Sequence, residues 1–345
     1  MTKQTRLKVL FIVEIIFAMW LSLASGAELP YTFETLNIAI PGGPGLLVSP
    51  MDIDDQGRIL TIINRENVTY AVATPPSKVR QDIKFKDQLW SFISCTGIPY
   101  ADTMGMAIVN DVIVGACVDA PKAPSKQYGF TKPLSGPLQL IDFPGADGTM
   151  VGGRSNDGKL VGQFYGPLNQ NRGALAYRFH CWTLIGGQYR QIDYPVPNTF
   201  VSCDAINNRG QILMYYITVT DQNEYIEQGA VIYDNGTVTP LGKSFAHIGG
   251  PWIDFVDMNE DGAVLGWRPG GVFLWDDGLF FDIKFPEGWQ ITSLGGMNNR
   301  EHFVGTYRVQ TGIDPFYGDP IYTQHGFVAV PAPVKTVKVR GKFGW

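Results

Sequence analysis

The residues best suited to chemistry in this 345-residue chain are acids and amides at fixed spacing, and the sharpest set is Asp257-Met258-Asn259-Glu260-Asp261-Gly262. It matches the opening D-x-[DN]-x-[DN]-G of a calcium loop, in which alternate oxygens converge on one hard cation. The completion is missing. An EF-hand places a bidentate acid at the twelfth position, where Arg268 stands, and shorter loops place one at the ninth, where Leu265 stands. Turn capping explains the set better, so no metal ligand is assigned. The four histidines, His180, His247, His302 and His325, are not at metal-ligand spacing. No G-x-S-x-G occurs, and Gly152-Gly153 and Pro269-Gly270-Gly271 precede no helical pattern, so they read as turns rather than a phosphate cradle. Catalytic residues are unassigned, with no cofactor expected.

Four cysteines, Cys95, Cys117, Cys181 and Cys203, suit two disulfides in an exported protein, and the separations within 95/117 and 181/203 are equal. All three pairings stay open, as does a role as small buried residues. Trp90, Tyr100, Trp252, Asp254, Trp289 and Tyr317 fall in loop-like stretches where aromatic faces can stack on sugars or grip a protein, although packing is the commoner use. The sequons at Asn67 and Asn235 matter only in a eukaryotic secretory route, and the second overlaps a hairpin turn.

The acidic segment is one of several copies. Asp54-Asp55-Gln56-Gly57, Ser155-Asn156-Asp157-Gly158, Asn207-Asn208-Arg209-Gly210, Asn259-Glu260-Asp261-Gly262 and Asn298-Asn299-Arg300-Glu301 each precede an apolar run. Four end in Gly, which suits a type I turn followed by a left-handed bulge residue, and the first side chain can cap the turn. Asn110-Asp111 is a shortened sixth copy. Behind the turns stand apolar doublets: Ile59-Leu60, Ile113-Val114, Leu160-Val161, Ile212-Leu213, Val264-Leu265 and Phe303-Val304. Gly115, Gly162, Gly266 and Gly305 then follow, where a small residue is expected to admit a neighbouring sheet.

A third strand is expected at 70–73, 128–131, 174–177, 230–233, 272–275 and 327–330. A fourth is expected at QLIDFPG, RQIDYPV, RQDIKFK and FFDIKFP. The fold expected is all-β: a six-bladed β-propeller of four-stranded antiparallel blades, closed by an N-terminal strand, 33–41, that completes the blade of residues 291–331. The tail at 335–345 is basic and alternating, as an edge strand would be.

The units, with AINNRGQIL followed by GAVIYDNGTVTPLG, and the ending HGFVAVP, resemble the exported HAF-type repeats of bacterial secreted proteins. The likeness is stronger from residue 139 onward. It implies an extracellular propeller-like fold of largely unassigned function and carries no catalytic residue.

Composition agrees with an all-β domain: 40 Gly, 23 Pro and 12% aromatic residues. A net charge of −5 argues against nucleic acid as a partner. Lys3, Arg6 and Lys8, the apolar run 9–23 and the small residues 24–27 have the order of a signal peptide, with Glu14 against a retained anchor. The expected organisation is therefore a signal peptide at 1–27, a single β-propeller domain at 28–334 and the tail. The mature chain is expected to be monomeric, without a membrane span, and secreted or periplasmic. Function divides between a non-enzymatic binding module for a protein or polysaccharide and a propeller-fold hydrolase or lyase with acids in a central channel. A structural role in an envelope or matrix assembly is a third possibility.

Overall fold

A computed structural model of the chain describes residues 28–36, 48–65, 68–73, 89–90, 103–118, 126–166, 179–196, 199–220, 225–244, 253–268 and 271–332. The regular elements among them are 24 β-strands. Strand β1 (Tyr31–Leu36) precedes the first unit, which comprises β2 (Val48–Ile53), β3 (Ile59–Arg65), β4 (Val68–Ala73) and β5 (Leu89–Trp90). The second has β6 (Thr103–Val109), β7 (Val112–Val118), β8 (Gln127–Pro133) and β9 (Gln139–Ile141). The third has β10 (Gly148–Arg154), β11 (Leu160–Tyr165), β12 (Phe179–Ile185) and β13 (Gln188–Ile192). The fourth has β14 (Thr199–Ile206), β15 (Ile212–Val219), β16 (Tyr225–Asp234) and β17 (Thr237–Ser244). The fifth has β18 (Asp254–Met258), β19 (Val264–Arg268), β20 (Gly271–Asp276) and β21 (Leu279–Ile283). The last has β22 (Gln290–Met297), β23 (Phe303–Ile313) and β24 (Pro320–Pro331).

Each unit is an antiparallel meander in chain order, and the last is completed by β1, which runs antiparallel to β24 with Phe33 opposite Ala329 and Leu36 opposite Gly326. A single parallel pair, Gly148 with Gln127, joins the second and third units into one eight-stranded sheet.

The turn chemistry explains why the first two strands of each unit pair. Gly57, Gly158, Gly210 and Gly262 all have φ between +78° and +93°, and each donates its N–H to the carbonyl of the turn's first residue. Glu301 adopts the same left-handed backbone, φ +59°, without being glycine. Asn110 and Asp111, at +47° and +65°, make the shortened copy a two-residue turn of the primed class. First-position side chains cap their turns: Asn259 Oδ1 accepts from Asp261 and Ala263 N–H, and Asn298 Oδ1 from Arg300 and His302 N–H.

The apolar doublets have a packing logic. In every unit the first member packs against the preceding unit and the second against the following one. Ile113 joins Leu60 of the first unit, whereas Val114 joins Val151 and Trp182 of the third. Leu160 and Val161, Ile212 and Leu213, and Val264 and Leu265 divide in the same way. Phe303 faces the fifth unit, and Val304 meets Ile53 and Ile59 of the first. The core is thus six clusters, one between each consecutive pair of units and one between the last and the first. With both faces covered, each doublet side chain contributes about 1.5–3 kcal/mol of burial.

Several expectations are corrected. The glycines after the doublets admit a ring from their own sheet, not a neighbouring one: Gly115, Gly162, Gly266 and Gly305 pair directly with Phe130, Trp182, Phe273 and Phe327. A Cβ on Gly305 would lie 2.8 Å from the Phe327 ring. In the third unit the third strand is Phe179–Ile185, downstream of the expected 174–177, which lies outside the described residues. The described fourth strand of the first unit is Leu89–Trp90 rather than RQDIKFK, also outside them. Gly152-Gly153 is no turn; it is a bulge within β10. The segments 1–27 and 335–345 lie outside the described residues. Among those described, no helix is long and apolar enough to cross a membrane.

Candidate functional site

The six first strands, β2, β6, β10, β14, β18 and β22, lie side by side, and their hairpin turns gather at one end. Every first strand carries a bulge a few residues before its turn. The residue opposite the second member of the apolar doublet is Asp52, Ala107, Gly153, Ala205 or Asp257, with Gly296 in the bulge of the last unit. These positions and the turns enclose a cavity of about 60 Å³. That is room for on the order of four or five water molecules. Its wall carries six carboxylates, Asp52, Asp54, Asp55, Asp204, Asp257 and Glu260, against one guanidinium, Arg154.

Asp52 and Asp257 are used in the same way. Asp52 accepts from the N–H of its own neighbour Ile53 (2.7 Å) and from Ile108 N–H in the next unit (2.6 Å). Asp257 accepts from Met258 N–H (2.8 Å) and from Met297 N–H in the next unit (2.7 Å). Each carboxylate thus clasps two first strands together. Burial pushes the Asp52 carboxyl well above the usual range, and the Asp257 charge adds to this while the two N–H bonds oppose it. Burial likewise raises Asp257 to about 6, against the pull of the Met297 and Met258 N–H groups and with the Asp204 charge adding. Asp204, a bulge residue bonded by the Ser202 hydroxyl (2.8 Å), is raised to about 6 by burial, with Asp254 adding to it.

Above the cavity the second residues of the turns bond to one another. Asn299 gives its backbone N–H to Asp55 Oδ1 (2.8 Å) and its amide to Asp55 Oδ2 (2.6 Å). Glu260 N–H donates to Asn299 Oδ1 (2.8 Å), Asn208 N–H to the Glu260 carboxylate, and Asp157 N–H to Asn208 Oδ1 (2.8 Å). The Asn110 amide reaches the Asn156 carbonyl (3.0 Å), and Arg58, paired with Asp54, also meets Asp111. Asn156 spans the ring, its N–H on Glu260 Oε1 (3.0 Å) and its amide on Asp55 Oδ2 (3.4 Å). The turn tips form a polar belt that visits all six units.

This placement accounts for the calcium-like segment. Asp257 points into the cavity and clasps Met297, Asn259 caps its own turn, and the carbonyl of Asp261 accepts from Arg209. Among the described residues no group of three His, Cys, Asp or Glu is arranged to hold a metal ion. His180 Nδ1 bonds Asp193 (2.9 Å), His325 stacks on Tyr307, and burial lowers His302; the three are not brought together. Of the loop aromatics, Trp289 lies flat on Tyr307 at 3.4 Å, and Asp254 accepts from Tyr215 and Trp267, so these serve packing. Tyr317 is 84% exposed beside Phe316 at 92%, on the β23–β24 tip. Trp90 is in β5, while Tyr100, Trp252 and His247 lie outside the described residues. Cys181 and Cys203 are disulfide-bonded, joining β12 to β14 across two units. Cys117 is also bonded, and Cys95 lies outside the described residues.

No protein-family model and no curated protein matches the chain. Among solved structures it is similar to a subtype N11 neuraminidase-like protein of A/flat-faced bat/Peru/033/2010 (H18N11), at 10% identity and a TM-score of 0.39, over 89% of this chain and 95% of that one.

Sequence reasoning missed the axial acids Asp52 and Asp204 and the part the turns play between units. The signal was present in register. Asp occupies the same place before the turn in two copies, where the others have Ala or Gly, which marks a side chain with a task beyond its own hairpin.

Proposed function

We propose that the six units make a six-bladed β-propeller of an exported, HAF-type repeat protein, secreted or periplasmic, that serves as a non-enzymatic interaction module for a protein or a polysaccharide. The propeller reading is supported by the cycle of six core clusters, of which the last joins Val304 to Ile53 and Ile59, and by completion of the final sheet by β1. The observation that carries the functional reading is the use of the mouth's polar groups on one another. Asp55, Asn156, Asn208, Glu260 and Asn299 bond between units over a cavity that holds only a few waters. A ligand at that mouth would have to break the belt. The surface offered instead is the long β23–β24 hairpin, whose tip exposes Ile313, Phe316 and Tyr317. Asp314 ties the backbone of that tip by accepting from Phe316 and Tyr317 N–H at 2.8 and 3.0 Å, and these bonds lower its own carboxyl. A turn formed before a partner arrives loses less entropy on binding. Glycan arrays and pull-downs with the purified mature chain test the reading. Turnover of a defined substrate by pure protein, with no ligand retained, would overturn it.

One observation favours the second reading, a hydrolase or lyase. Asp52 and Asp257 lie together over Gly296, and Asp204 and Asp257 are raised to about 6, which suits general acid–base work near neutral pH. It requires the belt to open. Glycosidic or uronic-acid substrate turnover abolished by Asp257→Asn would support it.

A further inference from the structure

Asp52 and Asp257 belong to the first and fifth units, yet both lie against Gly296 of the last. A Cβ on Gly296 would fall on Asp52 Oδ1 and lie 2.9 Å from Asp257 Oδ2, so the two oxygens are no further apart than those two reaches laid end to end. Asp52 is buried, and among the described residues neither carboxylate is paired with a base; their partners are backbone N–H groups. A buried and a half-buried carboxylate at that separation do not both carry charge without a large repulsive cost, and they titrate as a pair.

We propose that Asp52 and Asp257 hold one shared proton in the native protein, making the first–second and fifth–last seams a latch that is tight in acid and loosens as the pair loses that proton.

The surroundings of the pair reinforce this. The fourth unit contributes Asp204, with Asp254 behind it, and the turns contribute Asp54, Asp55 and Glu260. The third unit contributes Arg154, the one base on the cavity wall among the described residues, which donates to the Val109 carbonyl (3.0 Å). Strands β6 and β22 contain no titratable residue and supply only the Ile108 and Met297 N–H groups. Burial and these acids outweigh the N–H bonds, and the carboxyls are raised, Asp257 to about 6 and Asp52 well above its ordinary range. An unfolded Asp titrates near 3.9, so across the interval above that value the native chain holds more protons than the unfolded one. The pair's contribution to stability therefore falls as pH rises from about 4 through the titration of the two carboxyls, and levels off beyond it. A paired carboxylate stabilised by bases would give the opposite slope.

The test is thermal unfolding of the full chain from about pH 4 to about pH 8, for the wild type and Asp257→Asn. The wild-type midpoint is expected to drop by several degrees over the window, and the variant to lose most of that slope. An identical slope in the variant overturns the proposal. Should Asp257→Asn fail to fold, wild-type protein labelled with ¹³C at the aspartate carboxyls decides. A coupled two-step titration shared by two resonances and displaced above the ordinary range is expected; every carboxyl titrating singly in the ordinary range would refute it.

Discussion

At the seam between the third and fourth units two backbones touch, whereas at the seam between the first and second a carboxylate lies between them. A Cβ on Gly152 would fall on the Cys203 carbonyl oxygen, and one on Gly153 would lie 2.7 Å from the Asp204 carbonyl. Gly295 makes the same close approach between the last unit and the first, its Cβ position 2.7 Å from the Met51 carbonyl. Among the described glycines none meets backbone across the first–second or fifth–last seam, and these are bridged by Asp52 and Asp257 to the Ile108 and Met297 N–H groups. Removing a side chain lets strands approach until shape alone holds them. Inserting a carboxylate gives N–H groups of two first strands a common acceptor, at the cost of burying charge. The first kind of seam is made without a carboxylate between the strands, and the second depends on one.

The largest effect is expected where space is tightest. Gly152→Val puts three carbons onto the backbone of β14, and urea unfolding should show a loss of about 3 kcal/mol; a loss below about 1 kcal/mol would mean that the strands part easily there. The same seam is tied by Cys181–Cys203, whose 22-residue separation should make its removal by paired Cys→Ala substitutions cost about 3 kcal/mol. An unchanged midpoint under non-reducing conditions would show that the glycine contact alone suffices. At a carboxylate seam, Asp52→Ala leaves the Ile53 and Ile108 N–H groups without an acceptor but also relieves repulsion, so a net loss of about 2 kcal/mol is expected. A stabilised variant would show that repulsion dominates. The smallest effect belongs outside both seams. Phe316→Ser with Tyr317→Ser should leave stability within about 0.5 kcal/mol while abolishing retention of any ligand found for the wild type. Retention by the double variant would move the contact surface elsewhere.

What could be read from the sequence was local. Turn capping, the left-handed fourth residue and the apolar doublets each depend on neighbours within a few positions, so comparison of copies revealed them. The partnership of β1 with β24 also followed, because one strand stood over at the start and one was wanting at the end. The third strand of the third unit was misplaced because 174–177 has the same apolar-aromatic character as Phe179–Ile185. What separates them is register: Phe179–Ile185 sets Trp182 opposite Gly162, a cross-strand fit that no local pattern encodes. Gly152-Gly153 was read as a turn for a related reason, since the atoms that require glycine there belong to residues 203 and 204. The axial site is the extreme case. Asp52, Asp204 and Asp257 come from three units and share a cavity only once every unit is in place.

The claim that carboxylates hold two of the seams is tested most directly by hydrogen exchange at single amides. Ile108 N–H has the Asp52 carboxylate of another unit as its acceptor, and Met297 N–H that of Asp257. Both should exchange slowly in the wild type. In Asp52→Ala, Ile108 should become fast while Met297 stays protected. Equal protection of Ile108 in both proteins would contradict the account.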